Sequence, residues 1–269
     1  AMITVAPMDK DGYFNFGLCA AQTESIVKKA KKVIVEINEN MPRCLGGRGE
    51  AIHVTDVDFI VEGRNQKLPT IPFVTGDEID TKIAEYIVSA VPDGATLQLG
   101  IGGLPNSVGA MIAQSDLKDL GVHTEMLVDA FYLMAKEGRL TNKAKNLLPD
   151  KGVFSFCFGS QELYDWIDNN SGMAIYPIDF VNDPAVIGQI DKFISINSCI
   201  EVDLFGQVSA ESSGVTQISG SGGQLDFTDG AFRSNGGKSI IAMHSTHTNK
   251  KTGNVTSNIR PTLMEGTTV

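Results

Sequence analysis

No stretch of apolar residues approaches the roughly 20 that a membrane-spanning helix needs. No two cysteines stand close enough to build a redox or metal motif: Cys19, Cys44, Cys157 and Cys199 are scattered, with no CxxC among them. A thiolate metal site and a disulfide framework are both disfavoured by that spacing, and a reducing cytoplasm is the expected setting. Basic residues are in the minority, 22 Lys and Arg against 32 Asp and Glu, for a net charge of −10. The global field therefore repels nucleic acid and anionic membranes. An anionic ligand has to be held by a local patch or by backbone amides. The sequence also has no GxGxxG spacing, no GxxxxGK[ST] of a phosphate-binding loop, and no GxSxG around its serines.

Glycine, by contrast, is plentiful at 28 residues, which points to many tight turns. Hydrophobic content of 42 % and charged content of 20 % are those of an ordinary globular protein. Apolar runs at 1–7, 33–37, 95–99, 122–127, 152–158, 173–178 and 239–246 read as strands. Helical spacing falls between several of them. Ile79, Ile83, Ile87 and Ala90 form one stripe, Val108, Met111 and Ile112 follow Pro105, and residues 131–137, 160–170 and 183–190 continue the pattern. Asp11-Gly12 suggests a hairpin over 8–17, and Phe205-Gly206 another over 193–211. The two prolines of QKLPTIPFVTGDE (66–78) suggest a linker. Strands alternating with helices imply an α/β fold with a largely parallel sheet.

The stretch 94–125 carries most of the chemical information. It reads as a strand, the glycine loop LGIGGLP (99–105), a helix, and the strand VHTEML. Such a loop exposes backbone N–H groups at the positive end of a helix, as a phosphate site, an oxyanion hole or simply a tight β–α turn. Period-two alternation puts His123, Glu125 and Leu127 on one face of the following strand. A carboxylate in a buried strand is costly unless paired. At the carboxyl end of an open α/β sheet it would face the usual ligand crevice, whereas on an edge strand it would face water. ISGSGGQLDF (218–227) is a second glycine loop, suited to close backbone approach to a ligand or to a surface turn. His244 and His247 are three apart on an extended segment, which does not aim both rings at one metal. Glu211 in ESSG is a competing carboxylate. Asp179, Asp183, Asp203 and Asp226 read as turn or cap residues.

Six segments in order, MDKDGYFNFG, LGIGGLPNSVG, LGVHTEML, VNDPAVIGQI, INSCIEVDLFGQV and SGSGGQLDF, resemble the class I coenzyme A transferases. The resemblance is to the acetyl-CoA hydrolase/transferase branch that acts on butyryl-CoA with acetate or on 4-hydroxybutyrate. It implies an α/β CoA-transferase fold, a mostly parallel sheet flanked by helices. Residues 1–73 would be the end of the N-terminal domain plus a linker, and 74–269 the catalytic domain. The chain would be a piece of a longer protein that is a homo-oligomer at full length. The resemblance makes Glu125 the nucleophile, and places Gly100, Ile101, Gly102, Gly103 and Leu104 against the CoA thioester as oxyanion donors. Asn182 would orient the reacting carbonyl, Ile200 and Gly223 would line the CoA site, and Lys250 would reach its phosphate or pantetheine end. Coenzyme A is then a substrate, with small carboxylates as partners, and no metal or prosthetic group is expected. Anionic nucleophiles need no general base, in keeping with the lack of a convincing catalytic histidine. Rival readings are acyl-CoA hydrolysis, a non-catalytic ligand-sensing α/β domain, and a sugar-phosphate isomerase, which would want a lysine or second acid near the loop.

Overall fold

Strands covered on both faces need apolar residues at nearly every position, and the segments with that composition assemble into one sheet. The computed structural model describes residues 1–269. Its N-terminal strands are β1 (Met2–Val5), β2 (Tyr13–Asn15), β3 (Ile34–Ile37), β4 (Ala51–His53) and β5 (Phe59–Glu62). The main sheet takes β6 (Thr96–Leu99), β7 (Gly121–Leu127), β8 (Gly152–Cys157), β9 (Met173–Ile175), β10 (Phe193–Ser198) and, later in the chain, β15 (Lys238–Ala242). Its six strands run in the order β15-β10-β6-β7-β8-β9, all parallel. The α/β class and the parallel sheet expected from the sequence are both present.

Helices cover both faces. Helices α2 (Glu78–Ser89), α3 (Gly103–Gln114), α4 (Asp129–Lys136) and α5 (Gln161–Ile167) supply Ile87, Leu104, Val108, Ile112, Phe131, Met134 and Leu163 to a core shared with Leu97, Val122 and Ile194. The opposite face carries α6 (Ile178–Val181), α7 (Pro184–Ile187) and α8 (Gln224–Arg233), whose Val181, Ile187, Phe227 and Ala231 pack on Val153 and Phe193. Along that second face the strand residues turn polar toward the carboxyl ends. Phe193 gives way to Ser195 and Asn197, and His123 to Glu125. Buried Ser195 Oγ donates to Gln98 Oε1 at 2.7 Å, Asn197 Nδ2 donates to the same oxygen at 3.0 Å, and Gln98 Nε2 donates to Asn197 Oδ1 at 3.0 Å. A saturated polar network of this kind is tolerable in a core and fixes its side chains.

The N-terminal residues form their own parallel sheet, β1-β3-β5, around Val5, Phe14, Phe16, Val27 and Val35. Helix α1 (Thr23–Lys29) covers it. Backbone bonds join this unit to the main sheet, with the Cys157 N–H donating to Leu18 O and the Ile178 N–H to Ala21 O. No helix is long and apolar enough to cross a membrane.

Two expected hairpins are redrawn. Strand β2 pairs antiparallel with β4, not with β1, although the Asp9–Gly12 turn forms as expected, the Gly12 N–H donating to Asp9 O. The segment 193–211 splits into the core strand β10 and a smaller hairpin, β11 (Glu201–Asp203) with β12 (Val208–Ser209), followed by the short pair β13 (Ser212–Ser213) and β14 (Thr216–Gln217). The second glycine loop ends at Gly223, and QLDF begins helix α8, because Phe227, Gly230 and Ala231 recur at helical spacing on its buried side.

Two buried bases lie under β7. The His123 Nε2–H donates to Val181 O at 2.8 Å, and burial, aided by the nearby Lys145 charge, pushes its pKa down to about 3. Lys145 Nζ donates to Val122 O at 3.0 Å and to Lys151 O. It has no carboxylate partner, and burial lowers its pKa to about 7. The unfolded chain therefore holds a proton on Lys145 between about pH 7 and 10.5 that the folded chain does not, so stability rises with pH across that window and is lost as pH falls through 7. For one proton the slope is at most about 1.4 kcal/mol per pH unit. Urea unfolding between pH 7.5 and 9.5 is expected to show that rise, and Lys145→Met to remove it. Equal slopes in the two proteins would contradict the assignment.

Candidate active site

Glu125 stands at the carboxyl end of β7, half-buried, on the face that carries α6, α7 and α8. Strand alternation aims it there together with His123. Its neighbour comes from the short α6, which ends at Asn182. Asn182 is buried, and its Nδ2 donates to Glu125 Oε2 at 2.7 Å. Asn182 Oδ1 is buried without a protein partner, and Glu125 Oε1 carries no protein hydrogen bond. One carboxylate oxygen is thus held while the other remains available.

Gly223 closes the arrangement from the far end of the chain. A Cβ at that position would lie 2.2 Å from Glu125 Oε2 and 2.4 Å from Asn182 Nδ2. No side chain fits there without displacing one of the pair. The loop before it is braced by Glu211, whose backbone oxygen accepts the Ile218 and Ser219 N–H groups and whose carboxylate accepts the Ser221 hydroxyl at 3.2 Å. The competing glutamate thus supports this loop and does not line the cavity at Glu125.

That cavity, of about 390 Å³, is lined by nine residues, one of them hydrophobic. Beside Glu125 and Asn182 it takes Gln22 from the N-terminal unit and Asp179, Asp183 and Asp226. Asp183 caps α7 through the Ala185 N–H at 2.8 Å, and Asp203 accepts turn N–H groups from Phe205 and Gln207, both as expected of turn and cap residues. Asp179 pairs with Arg48. Asp226 departs from that reading. It lies within the first turn of α8, faces the cavity, and its carboxyl is raised above the usual range, by burial first and then by Asp183 and Asp229. Its place is hidden in the sequence because the glycines before it give the segment the look of a loop; the periodic Phe227, Gly230 and Ala231 are the signal that reveals the helix.

The first glycine loop follows β6, the strand next to β7. The pairing of Leu97 with Val122 sets Gly100 level with Glu125 when the register is continued. A Cβ on Gly100 would come within 2.9 Å of Asn197 Oδ1. Gly102 precedes α3 at φ +116°, and a Cβ there would meet no neighbouring atom, so the dihedral alone selects glycine. The Gly103 carbonyl accepts the Gly76 N–H at 3.1 Å. Leu104 is buried while Ile101 is 67 % exposed. None of residues 100–104 lines the cavity at Glu125; they follow the adjacent strand into α3. Ile200 is half-buried after β10, its N–H donating to Ser209 O at 2.8 Å. Lys250 is exposed at the turn between β16 (Thr246–Thr248) and β17 (Val255–Ser257), outside the cavity. His244 turns away from His247 and meets Asp80 at 2.9 Å and Asp77 at 3.7 Å, where Asp77 and Asp80 already form the capping box of α2.

Comparison with known proteins places these features in a family. The acetyl-CoA hydrolase/transferase N-terminal domain model matches residues 1–72, and the C-terminal domain model of the same family matches residues 159–269. A probable butyrate:acetyl-CoA coenzyme A-transferase of Syntrophomonas wolfei is 51 % identical over 269 residues, covering 100 % of this chain and 60 % of that protein. A butyryl-CoA:acetate CoA-transferase of Anaerostipes caccae is 52 % identical over 273 residues, with the same two coverages. Among solved structures, the 4-hydroxybutyrate CoA-transferase of Porphyromonas gingivalis superimposes with a TM-score of 0.85 at 38 % identity, covering 98 % of this chain and 62 % of that one. The chain spans about 60 % of the length of the relatives it matches.

Gly223→Ala is expected to push Glu125 or the 219–223 loop aside and to cost about 1–3 kcal/mol, the usual penalty of overpacking. Urea unfolding of the variant measures it, and an unchanged midpoint would show that Gly223 approaches the pair less closely than this geometry requires.

Proposed function

This chain belongs to the acetyl-CoA hydrolase/transferase family, and from that we propose that it transfers coenzyme A between short-chain carboxylic acids, such as butyryl-CoA and acetate, through a glutamyl-CoA thioester on Glu125. The observation that carries the reading is the Glu125 carboxylate held through one oxygen by Asn182, at a strand's carboxyl end and on the edge of a cavity. Such a group has a free nucleophilic oxygen and a fixed direction.

Glu125 Oε1 attacks the acyl-CoA carbonyl carbon, and the C–S bond breaks to give a mixed anhydride and CoA thiolate. The thiolate then attacks the glutamyl carbonyl. The first acid leaves as a carboxylate, and a glutamyl-CoA thioester remains. A second carboxylate runs the steps in reverse. Every nucleophile is already an anion, so no base is required. The neutral, carbonyl-bound His123 is unsuited to that role in any case. Each tetrahedral step gathers charge on an oxygen, and the backbone N–H groups of residues 101–104 at the start of α3 are the donors proposed to meet it, the Gly100 N–H being engaged by Ile196 O at 2.8 Å. One such donor is worth roughly 3–4 kcal/mol. Ile200 and Gly223 are assigned to the CoA channel and Lys250 to its phosphate or pantetheine end. In the same reading residues 1–73 end an N-terminal domain and 74–269 form the catalytic one. The full-length protein acts in the cytoplasm as a homo-oligomer.

Incubating the full-length protein with butyryl-CoA and then adding borohydride is expected to inactivate it and to reduce Glu125 alone. Glu125→Gln is expected to lower acetate-dependent exchange by at least about 10⁴-fold while leaving CoA binding measurable. Reduction at Glu211, or exchange that survives Glu125→Gln, would contradict the reading. Free thiol released without an acceptor acid would reassign the chain to hydrolysis.

A further inference from the structure

His244, on the segment that leaves β15, reaches across to the start of α2, where the chain bracing the first glycine loop is held. Its backbone is fixed by Asn258, whose Nδ2 donates to His244 O at 2.9 Å and whose N–H donates to Ser245 O at 2.8 Å. Its Nε2 meets Asp80 Oδ1 at 2.9 Å. An ionised carboxylate only accepts, so that nitrogen carries the hydrogen. The other contacts of the two aspartates belong to the helix start. Asp77 Oδ1 accepts the Ile79 N–H at 2.9 Å and the Asp80 N–H at 3.0 Å, and Asp80 Oδ2 accepts the Asp77 N–H at 3.1 Å. With those acceptors engaged, the trio reads as a clasp and not as a metal centre. What the clasp holds is Gly76, the residue just before the capping box. Its N–H is shared between Gly103 O at 3.1 Å and Ser107 Oγ at 2.9 Å. Two residues back, Val74 O accepts from Asn106 Nδ2 at 2.8 Å. The backbones also touch: a Cβ on Gly103 would lie 3.1 Å from Gly76 Cα and 3.7 Å from Asp80 Oδ2. Residues 74–80 thus form a strap along the first turn of α3, and Ala84 and Ile87 of α2 continue it into the core shared with Leu104 and Val108.

We propose that His244, acting through Asp80, is a positioning residue for the glycine loop: it locks the 74–80 strap against residues 103–107 and so fixes where the N–H groups of 101–104 point. The inference rests on the oxyanion role given to those groups in the CoA-transfer reading. An oxyanion donor works only if its direction is set before the charge appears. Gly100, Gly102 and Gly103 leave the loop backbone the widest choice of conformations, so its direction is set by its neighbours. On one side the Gly100 N–H is held by Ile196 O of β10. On the other side lies the strap, which is as firm as the capping box at its end. The imidazole ties that box to the main sheet, since His244 follows β15 and β15 pairs with β10. The contacts then close into a ring that runs from β10 through the loop, the strap and His244 to β15 and back to β10. Opening the ring at His244 leaves the fold of each element intact and frees the loop on its strap side.

The test uses the full-length protein with His244→Ala, His244→Gln and Gly76→Ala. A Cβ on Gly76 would overlap Asp80 Oδ2, so the third variant opens the clasp without touching the imidazole and carries the test if His244→Ala does not fold. In hydrogen–deuterium exchange read by mass spectrometry, peptides covering 74–80 and 100–107 are expected to exchange about tenfold faster in His244→Ala and Gly76→Ala, the effect of losing one hydrogen bond to a charged group. The peptide covering 121–127 is expected to be unchanged. In the same two variants kcat for CoA exchange between butyryl-CoA and acetate is expected to fall about 10- to 100-fold, as a misplacement of about 1 Å does. KM for both substrates is expected to stay within about twofold, since the lost interaction is one made in the transition state. His244→Gln, whose amide donates to the same oxygen, is expected to restore most of the protection and most of kcat. A lower melting temperature with kcat unchanged would show a structural role alone and would overturn the proposal. So would unchanged hydrogen exchange in both peptides, or a glutamine variant as slow as the alanine one. In each of those cases CoA exchange by the wild-type protein still stands. A wild-type protein that exchanges no CoA at all would overturn the transferase reading, and the proposal with it.

Discussion

The hydrogen bond from Asn182 Nδ2 to Glu125 Oε2, 2.7 Å long, is the contact on which the rest of the site depends. Its two ends are 57 residues apart in the chain, and the glycine pressed against both comes from further on still. A parallel sheet brings such distant segments together because every crossover returns the chain to the same end of the sheet. At that end β7 presents Glu125, the connection after β9 presents Asn182, and the loop before α8 presents Gly223. None of the three has freedom to move independently: the strand is paired, Asn182 is buried, and Gly223 has no room for even a Cβ.

A carboxylate in this position has to be reconciled with a largely apolar interior. The sheet does so by changing character along one face. Val153, Phe193 and their helix partners fill the amino-terminal half of that face with hydrocarbon, while Gln98, Ser195 and Asn197 form a closed set of hydrogen bonds nearer the carboxyl ends. His123 marks the crossover, neutral and bound to a backbone carbonyl. Glu125 then lies one pleat beyond, where the cavity admits a ligand. The acidic lining of that cavity follows from the same layout. Caps and first-turn residues of α6, α7 and α8 favour aspartate for helix-dipole reasons, and three short helices meeting at one spot concentrate their charges there.

Much of this is legible in the sequence for reasons that can be named. Strand alternation sets the direction of Glu125, the glycine loop between a strand and a helix is evident from LGIGGLP, and the doubly covered strands are evident from their apolar runs. Long-range pairing is not legible. Nothing in residues 13–15 announces that they pair with 51–53 and not with their neighbours, because a period of two looks the same whichever strand is the partner. The helix at 224–233 is concealed by the glycines that precede it and by Gly230 inside it, a poor helix former that packs under Ile187. With that helix hidden, Asp226 looks like a turn residue, and the acidity of the cavity cannot be seen. The separation between Lys250 and the cavity depends on a hairpin whose placement no local signal sets.

Whether an oxygen of Glu125 enters the reaction decides the mechanism. Turnover of butyryl-CoA with acetate labelled by ¹⁸O on its carboxylate, followed by mass spectrometry of the peptide that contains residues 121–127, tests this. Attack by the side chain carries one labelled oxygen from acetate into Glu125, since the acid regenerated from the mixed anhydride keeps the bridging atom. A peptide that gains ¹⁸O only when both substrates are present is the predicted result. An unlabelled Glu125 after many turnovers, or label on another carboxylate, contradicts covalent catalysis at this residue.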